Sequence, residues 1–254
     1  MKTKNKKPET KIETVIDKIR FEDKYHKYFI DSKSESTELI SVTKFISSFF
    51  PKFNRDKEAK RYGSKIGKST EDVITMWEQS STTGTLIHEY AEYLSGKRNT
   101  PPKITSKDPE ISFREINLYK TIDKFFKDYN PHTWFTERII GSKKYKIAGT
   151  IDWGGNISIN NGPGLVLLDW KTNNKIHLVN SWNNKKAKLP INCLDDCNYT
   201  KYAMQLSLYR FILEDEYNEF IDQTYIVHIT PDGYYIYPVP YLKKLILEIL
   251  KTRL

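Results

Sequence analysis

The chain has 254 residues, 38% hydrophobic and 29% charged, with a formal net charge of +9. That length can bury a full hydrophobic core in one large domain, and no apolar run approaches the roughly 18 residues of a membrane-spanning helix. The basic balance attracts polyanions, nucleic acid first among them. The two cysteines, Cys193 and Cys197, are too few for a disulfide framework and, alone, for a zinc or iron–sulfur site, so they read as plain thiols.

Residues 1–12 read as a disordered basic tail and 13–254 as a single domain. The tail lacks the apolar stretch of a secretion signal, and an intracellular protein is expected. Residues 21–30 read as a strand pair. Residues 41–50 read as a helix capped by Ser41 or Thr43 and stopped by Pro51. Residues 52–68 are strongly basic, a pattern that on its own is a solvated helix face. Residues 69–79 and 84–94 read as two helices, and 110–129 as a long amphipathic one. The helical part thus spans about 41–129.

A core sheet is expected over about 130–240. Hydrophobic periodicity switches to two, and 134–140, 145–153 and 165–172 read as consecutive strands. Gly154-Gly155 and Asn161-Gly162-Pro163-Gly164 supply turn chemistry between and after them. Residues 173–198 form a long polar segment suited to a lid or substrate loop. A helix over 200–214, a hairpin of 224–229 with 234–239, and a closing helix over 241–250 complete an α/β sandwich around a mixed sheet.

The strand Leu165-Val166-Leu167-Leu168 runs into Asp169-Trp170-Lys171-Thr172. Side chains alternate along a strand, so Asp169 and Lys171 point the same way. Alone, they make a strand-end ion pair. A second strand, Ile147-Ala148-Gly149-Thr150-Ile151-Asp152, also ends in a carboxylate, and a short connection makes the two strands antiparallel neighbours. Asp152 and Asp169 then lie close together. Two carboxylates at close range repel unless one is protonated or a cation lies between them. Hard oxygen ligands suit Mg²⁺ or Mn²⁺, and a nearby lysine can hold a phosphate oxygen or orient a water. These are parts for metal-assisted phosphodiester hydrolysis.

Gly149 to Asp152 followed by Asp169-Trp170-Lys171-Thr172 resembles the signature of the PD-(D/E)XK nucleases, in particular the RecB-type exonuclease branch. Gly84-Thr85-Leu86-Ile87-His88 and Gln205-Leu206-Ser207-Leu208-Tyr209 match two further motifs of that branch, in the family's order. The resemblance covers roughly residues 21–240. It implies a restriction-endonuclease-like α/β core, with a mixed central sheet flanked by helices. It also implies metal ligation by His88, Asp152, Asp169 and the backbone carbonyl of Trp170, with Lys171 as the catalytic lysine beside Asp152 and Asp169. Gln205 and Tyr209 would support the site and contact substrate. Glu137 stands where relatives often carry an acid, its role open between structural and second-metal. Glu92, one turn after His88, is placed to steady it.

The implied activity is Mg²⁺-dependent hydrolysis of DNA with ends, single- or double-stranded, with Mn²⁺ substituting and no iron–sulfur cluster. The expected function is an exonuclease of replication, recombination or repair. A structure-specific endonuclease and a non-catalytic DNA-binding module are the alternatives. The sequence departs from the family's motif in having Ile151, not proline, before Asp152. His88-Glu89-Tyr90-Ala91-Glu92 lacks the second histidine of a zinc protease, and Gly63 to Ser69 is one residue short of a phosphate-binding loop. The lysines at 175, 185, 186 and 188 read equally as a solvated loop or a phosphate track, and Trp182 and Tyr199 as candidates for stacking on unpaired bases.

Overall fold

The computed structural model describes residues 19–31, 36–104, 106–159, 164–180 and 184–253. The tail, Asn161-Gly162-Pro163 and Trp182 lie outside them. The fold opens with an antiparallel meander of β1 (Ile19–Glu22), β2 (Lys27–Asp31) and β3 (Ser36–Ser41). Ser41 ends β3 and also caps α1 (Val42–Ser48), its hydroxyl accepting from the Lys44 amide. Two helices form an arm. The first, α2 (Arg55–Ile66), is capped by Asn54 and ended by Gly67 at φ 69°. The second, α3 (Thr70–Leu94), opens on a reciprocal Ser69–Asp72 capping box. Helix α4 (Pro109–Tyr129) starts from Asp108 with proline in its first turn.

Five strands and two helices follow. They are β4 (His132–Ser142), β5 (Ile147–Asn156), β6 (Leu165–Lys171), α5 (Asn198–Glu216), β7 (Ile221–Thr230), β8 (Gly233–Pro238) and α6 (Lys243–Leu250). The eight strands form one mixed sheet in the order β1-β2-β3-β5-β6-β7-β8, with β4 paired to β5. The expected class, a mixed central sheet flanked by helices, is the one observed. Among the described residues no helix is long and apolar enough to cross a membrane.

Strand β5 organises the sheet. One of its edges pairs with β4 along its whole length. The other is shared: Ile147 and Ala148 pair in parallel with β3, whereas Trp153 to Gly155 pair antiparallel with β6. Between these ladders the edge is open over residues 149–152.

Each sheet face buries its own core. Leu165 and Leu167 of β6 pack with Ile147 and Ile151 against α1, α5 and α6, including Phe45, Met204 and Ile246. Val166, Leu168 and Trp170 face the other way, against Ile87 of α3 and Leu118, Ile122 and Phe125 of α4. Alternation along β6 therefore places Asp169 and Lys171 on the α5 side.

Three expectations change. The segments 69–79 and 84–94 are one helix, α3. The hydroxyls of Ser80, Thr82 and Thr85 donate to carbonyls one turn back, so the polar stretch continues the helix, and one interior glycine costs only about 1 kcal/mol. Gly154-Gly155 lies inside β5 and makes no turn. A Cβ on Gly154 would stand 2.1 Å from Phe135 Cζ, and one on Gly155 2.3 Å from the His132 carbonyl. Finally, β3 was not anticipated, and it extends the sheet beyond the expected 130–240.

A buried ion pair ties β4 to the loop after α5. Arg138 donates two hydrogen bonds to Glu219, at 2.8 and 2.7 Å, with both side chains largely buried. The guanidinium also lies 4.7 Å from the Phe135 ring centre and 5.6 Å from that of Tyr217. Removing one partner leaves a buried charge uncompensated. Arg138→Ala is expected to cost about 3–5 kcal/mol in denaturant unfolding, and Arg138→Met with Glu219→Leu distinctly less.

Candidate active site

The open stretch of β5 builds the site. Past Leu168, β6 has no β5 partner, and the Trp170 amide donates instead to Asp152 Oδ2 at 2.9 Å. A buried amide must be satisfied, and this bond holds the Asp152 carboxylate at the fork. The Trp170 carbonyl lies 3.2 Å from His88 Nε2. The other ring nitrogen, Nδ1, lies 3.7 Å from Asp152 Oδ2 and 3.6 Å from Glu137 Oε1. The ligand atoms of His88, Glu137 and Asp152 all fall within 4.8 Å of one another.

Glu137 reaches this point through an unusual backbone. Its neighbours Thr136 and Arg138 pair with Trp153 and Ile151, which puts Glu137 opposite Asp152. Its φ is 44°. A non-glycine residue in the left-handed region costs about 1–3 kcal/mol, and such strain clusters at functional sites.

Asp169 and Lys171 occupy the α5 side of the fork. Lys171 Nζ stands 2.6 Å from Asp169 Oδ2, and Gln205 Nε2 donates to Asp169 Oδ1 at 3.1 Å. Oδ2 is fully buried and has the lysine's charge beside it but no aligned hydrogen bond. The Tyr202 ring lies 4.8 Å from Lys171 Nζ, and its hydroxyl donates to Asn173 Oδ1 at 2.9 Å. Tyr209 lies over Gly149, where a Cβ would stand 2.6 Å from Cε1. Beside it Thr150 shares a 2.9 Å hydrogen bond with the Tyr28 hydroxyl.

The charges are strongly coupled. Burial opposes a charge on His88, yet Asp152 and Glu137 outweigh it and push the imidazole up to about 9. Burial raises Asp169 against the pull of Lys171. Burial likewise opposes the Lys171 charge, but the two aspartates hold it well above its ordinary value. Tyr209 is raised well above its usual range, chiefly by burial. An acidic pocket that raises the histidine within it favours added positive charge. Carboxylate oxygens plus one imidazole are a donor set for a divalent cation.

A cleft of about 720 Å³ opens over the cluster, with Ser80, Thr85, His88, Glu137, Lys171 and Tyr202 among its walls. The structure thus brings His88, Glu137, Asp152 and the Trp170 carbonyl together, with Asp169, Lys171 and Gln205 joined in a second group and Tyr209 against Gly149; Asp169 is not among the ligand atoms that fall within 4.8 Å of one another. Glu92 lines the cleft and is hydrogen-bonded to Thr136, while burial and the nearby charge of Glu137 raise its carboxyl. Glu137 is more central than its sequence context suggested. Tyr202 was missed, although 202, 205 and 209 share one helical face. The Gly63 to Ser69 stretch joins two helices: Gly63 lies inside α2, Gly67 ends it and Ser69 caps α3. Of the loop lysines, Lys186 pairs with Asp195, and Lys188 donates to the Ser48 carbonyl at 3.0 Å.

The contact between Gly149 and Tyr209 makes a prediction. Gly149→Ala forces a methyl group into the tyrosine ring and should destabilise the protein by about 1–3 kcal/mol, read as a lowered thermal midpoint.

No protein-family model and no curated protein matches the chain. Among solved structures, the protein SSO0001 is 16% identical, with a TM-score of 0.32 over 84% of this chain and 74% of its own. A putative exonuclease from Eubacterium rectale is 18% identical, with a TM-score of 0.43 over 85% of this chain and 82% of its own. At these scores neither likeness bears on what this chain does.

Proposed function

We propose that residues 13–254 form one PD-(D/E)XK nuclease domain that hydrolyses DNA phosphodiester bonds with a divalent metal, acting as an exonuclease in replication, recombination or repair. The observation that carries this reading is the fork of β5, where the ligand atoms of His88, Glu137 and Asp152 fall within 4.8 Å of one another and the Asp169–Lys171 ion pair stands on the adjoining strand. His88, Glu137, Asp152 and Asp169 would hold the ion, with the Trp170 carbonyl adjoining. Bound Mg²⁺, or Mn²⁺ in its place, supplies positive charge opposite the phosphate as negative charge builds there.

Each residue has a stated task. Asp152 is held by the Trp170 amide, so its carboxylate does not reorganise during the reaction. Gln205 holds Asp169 in the same way. Lys171 presents its ammonium toward the cleft, where it orients the attacking water or a phosphate oxygen and offsets developing charge. Tyr202 packs under that ammonium and limits its freedom. Water attacks phosphorus, the bond to the leaving sugar oxygen breaks, and the proton lost by the water is balanced by one gained at the leaving oxygen.

Two measurements test this. Calorimetric titration with Mn²⁺ should detect binding, and Asp152→Ala or His88→Ala should weaken it at least about tenfold. End-labelled linear DNA should lose its label with Mg²⁺ and not with EDTA. Lys171→Ala and Asp169→Ala should lower that rate about a hundredfold or more while remaining folded. A covalently closed circle should survive, and cutting it would replace the exonuclease reading by an endonuclease. No cleavage of linear or circular DNA with either metal would remove the nuclease reading itself.

A further inference from the structure

The catalytic cleft is not the only hollow along this face. A second, of about 600 Å³, lies between the α2–α3 arm and the loop before α5. Its walls include Phe53, Arg61, His177, Val179, Lys201 and Tyr202. A third, of about 300 Å³, is lined by Phe53, Arg61, Tyr62, Met76, Trp77 and Ser80. Tyr202 also lines the catalytic cleft, as does Ser80. Phe53 and Arg61 belong to both outer hollows. The three therefore share walls and form one track leading to the site.

The track has an unusual surface. Phe53 is 64% exposed although it is a large apolar ring, and its centre lies 5.7 Å from that of Trp77. Val179 across the track is also exposed, at 59%. Scattered apolar side chains are normal on a surface, but a cluster beside a cleft marks a binding area. The same arm is the basic segment: residues 52–68 hold seven lysines and arginines against two acids. Helix α2 packs chiefly on α3, so its charge and rings do little for the core. The cleft itself is lined by Asp23, Glu89, Glu92 and Glu137, which repel a polyanion. The arm adds attraction to that of Lys171, which stands among these acids in the cleft.

We infer that this track binds an unpaired DNA strand, with a base stacked on the Phe53–Trp77 ring pair and the backbone drawn by the basic face of α2, and leads it into the cleft. A stacking platform needs the free face of a base, which a strand offers when unpaired and a duplex hides inside its stack. Aromatic platforms beside basic grooves are how unpaired strands are held without sequence preference. The inference deepens the nuclease reading and rests on it for the ligand's identity.

The test separates the two. Fluorescence anisotropy in EDTA, where metal-dependent cleavage is stopped, measures the full chain's binding to a labelled oligothymidylate and to a labelled blunt hairpin duplex. Phe53→Leu keeps the bulk and removes the ring; at so exposed a position it is expected to fold as the parent does, checked by circular dichroism. It should weaken oligothymidylate binding about tenfold, leave duplex binding unchanged, and be rescued by Phe53→Tyr. Unchanged oligothymidylate affinity in Phe53→Leu, an equal loss on both ligands, or no oligothymidylate binding by the parent chain each overturns the inference. A partner protein on this patch would give the first of those results. If binding depends on the ring but DNA is never cut, the nuclease reading fails and the strand track stands.

Discussion

A buried amide that has lost its strand partner governs the site. Because β5 gives one end of an edge to β3 and the other to β6, the Trp170 N–H has no ladder acceptor, and Asp152 takes that place. The carbonyl of the same residue meets His88. Both backbone groups of Trp170 thus hold candidate ligands. Its indole is fully buried, with its centroid 5.3 Å from that of Phe125 at 87° and 6.1 Å from that of Phe126 at 29°. Packing between α4 and the sheet therefore reaches the chemistry through one residue. Cores are close-packed and transmit displacement, and Phe125 packs on the residue whose backbone meets both Asp152 and His88.

The opposite face of β6 carries the second half of the site. Leu165 and Leu167 bury, and the same row continues as Asp169 and Lys171. A carboxylate with 2% exposure is costly unless its partners are in place. Here Lys171 and Gln205 provide them, and the Tyr202 ring packs against the Lys171 ammonium. Such a network is stable as a unit and fragile in its parts. The strain at Glu137 belongs to the same arrangement, since its positive φ lies on β4 directly opposite Asp152 of β5.

The residues that could be read in advance are those whose position follows from a local period. Alternation along β6 orients Asp169 and Lys171 together, and the short link to β5 makes the two strands neighbours. The helical spacing of Gln205 and Tyr209 puts them on one face. What could not be read depends on contacts far apart in the chain. Gly154-Gly155 has the local signal of a turn, and only the Phe135 ring from another strand shows why the pair belongs inside β5. Gly84 with its serines and threonines looks like a break until the hydroxyls turn back onto the helix. The importance of Glu137 lies in a backbone angle that no periodicity encodes. The hydrogen bond of Glu92 to Thr136 depends on how α3 meets β4.

Binding and chemistry have opposite electrostatic needs, and the fold places them on different elements. A site that collects carboxylates around a cation repels the phosphates it must receive. Basic residues inside the same cleft would compete for those carboxylates, as Lys171 already does with Asp169. Putting positive charge on α2, outside both cores, avoids that competition while keeping the charge next to the cleft through the hollows that share Ser80 and Tyr202. Charge on an exposed arm is screened within about 8 Å at physiological salt. Its contribution should therefore fall with ionic strength, whereas the buried ion pair of Asp169 and Lys171 is screened far less. On the proposed reading, the arm would govern how readily a polyanion arrives, and the fork of β5 what happens to it.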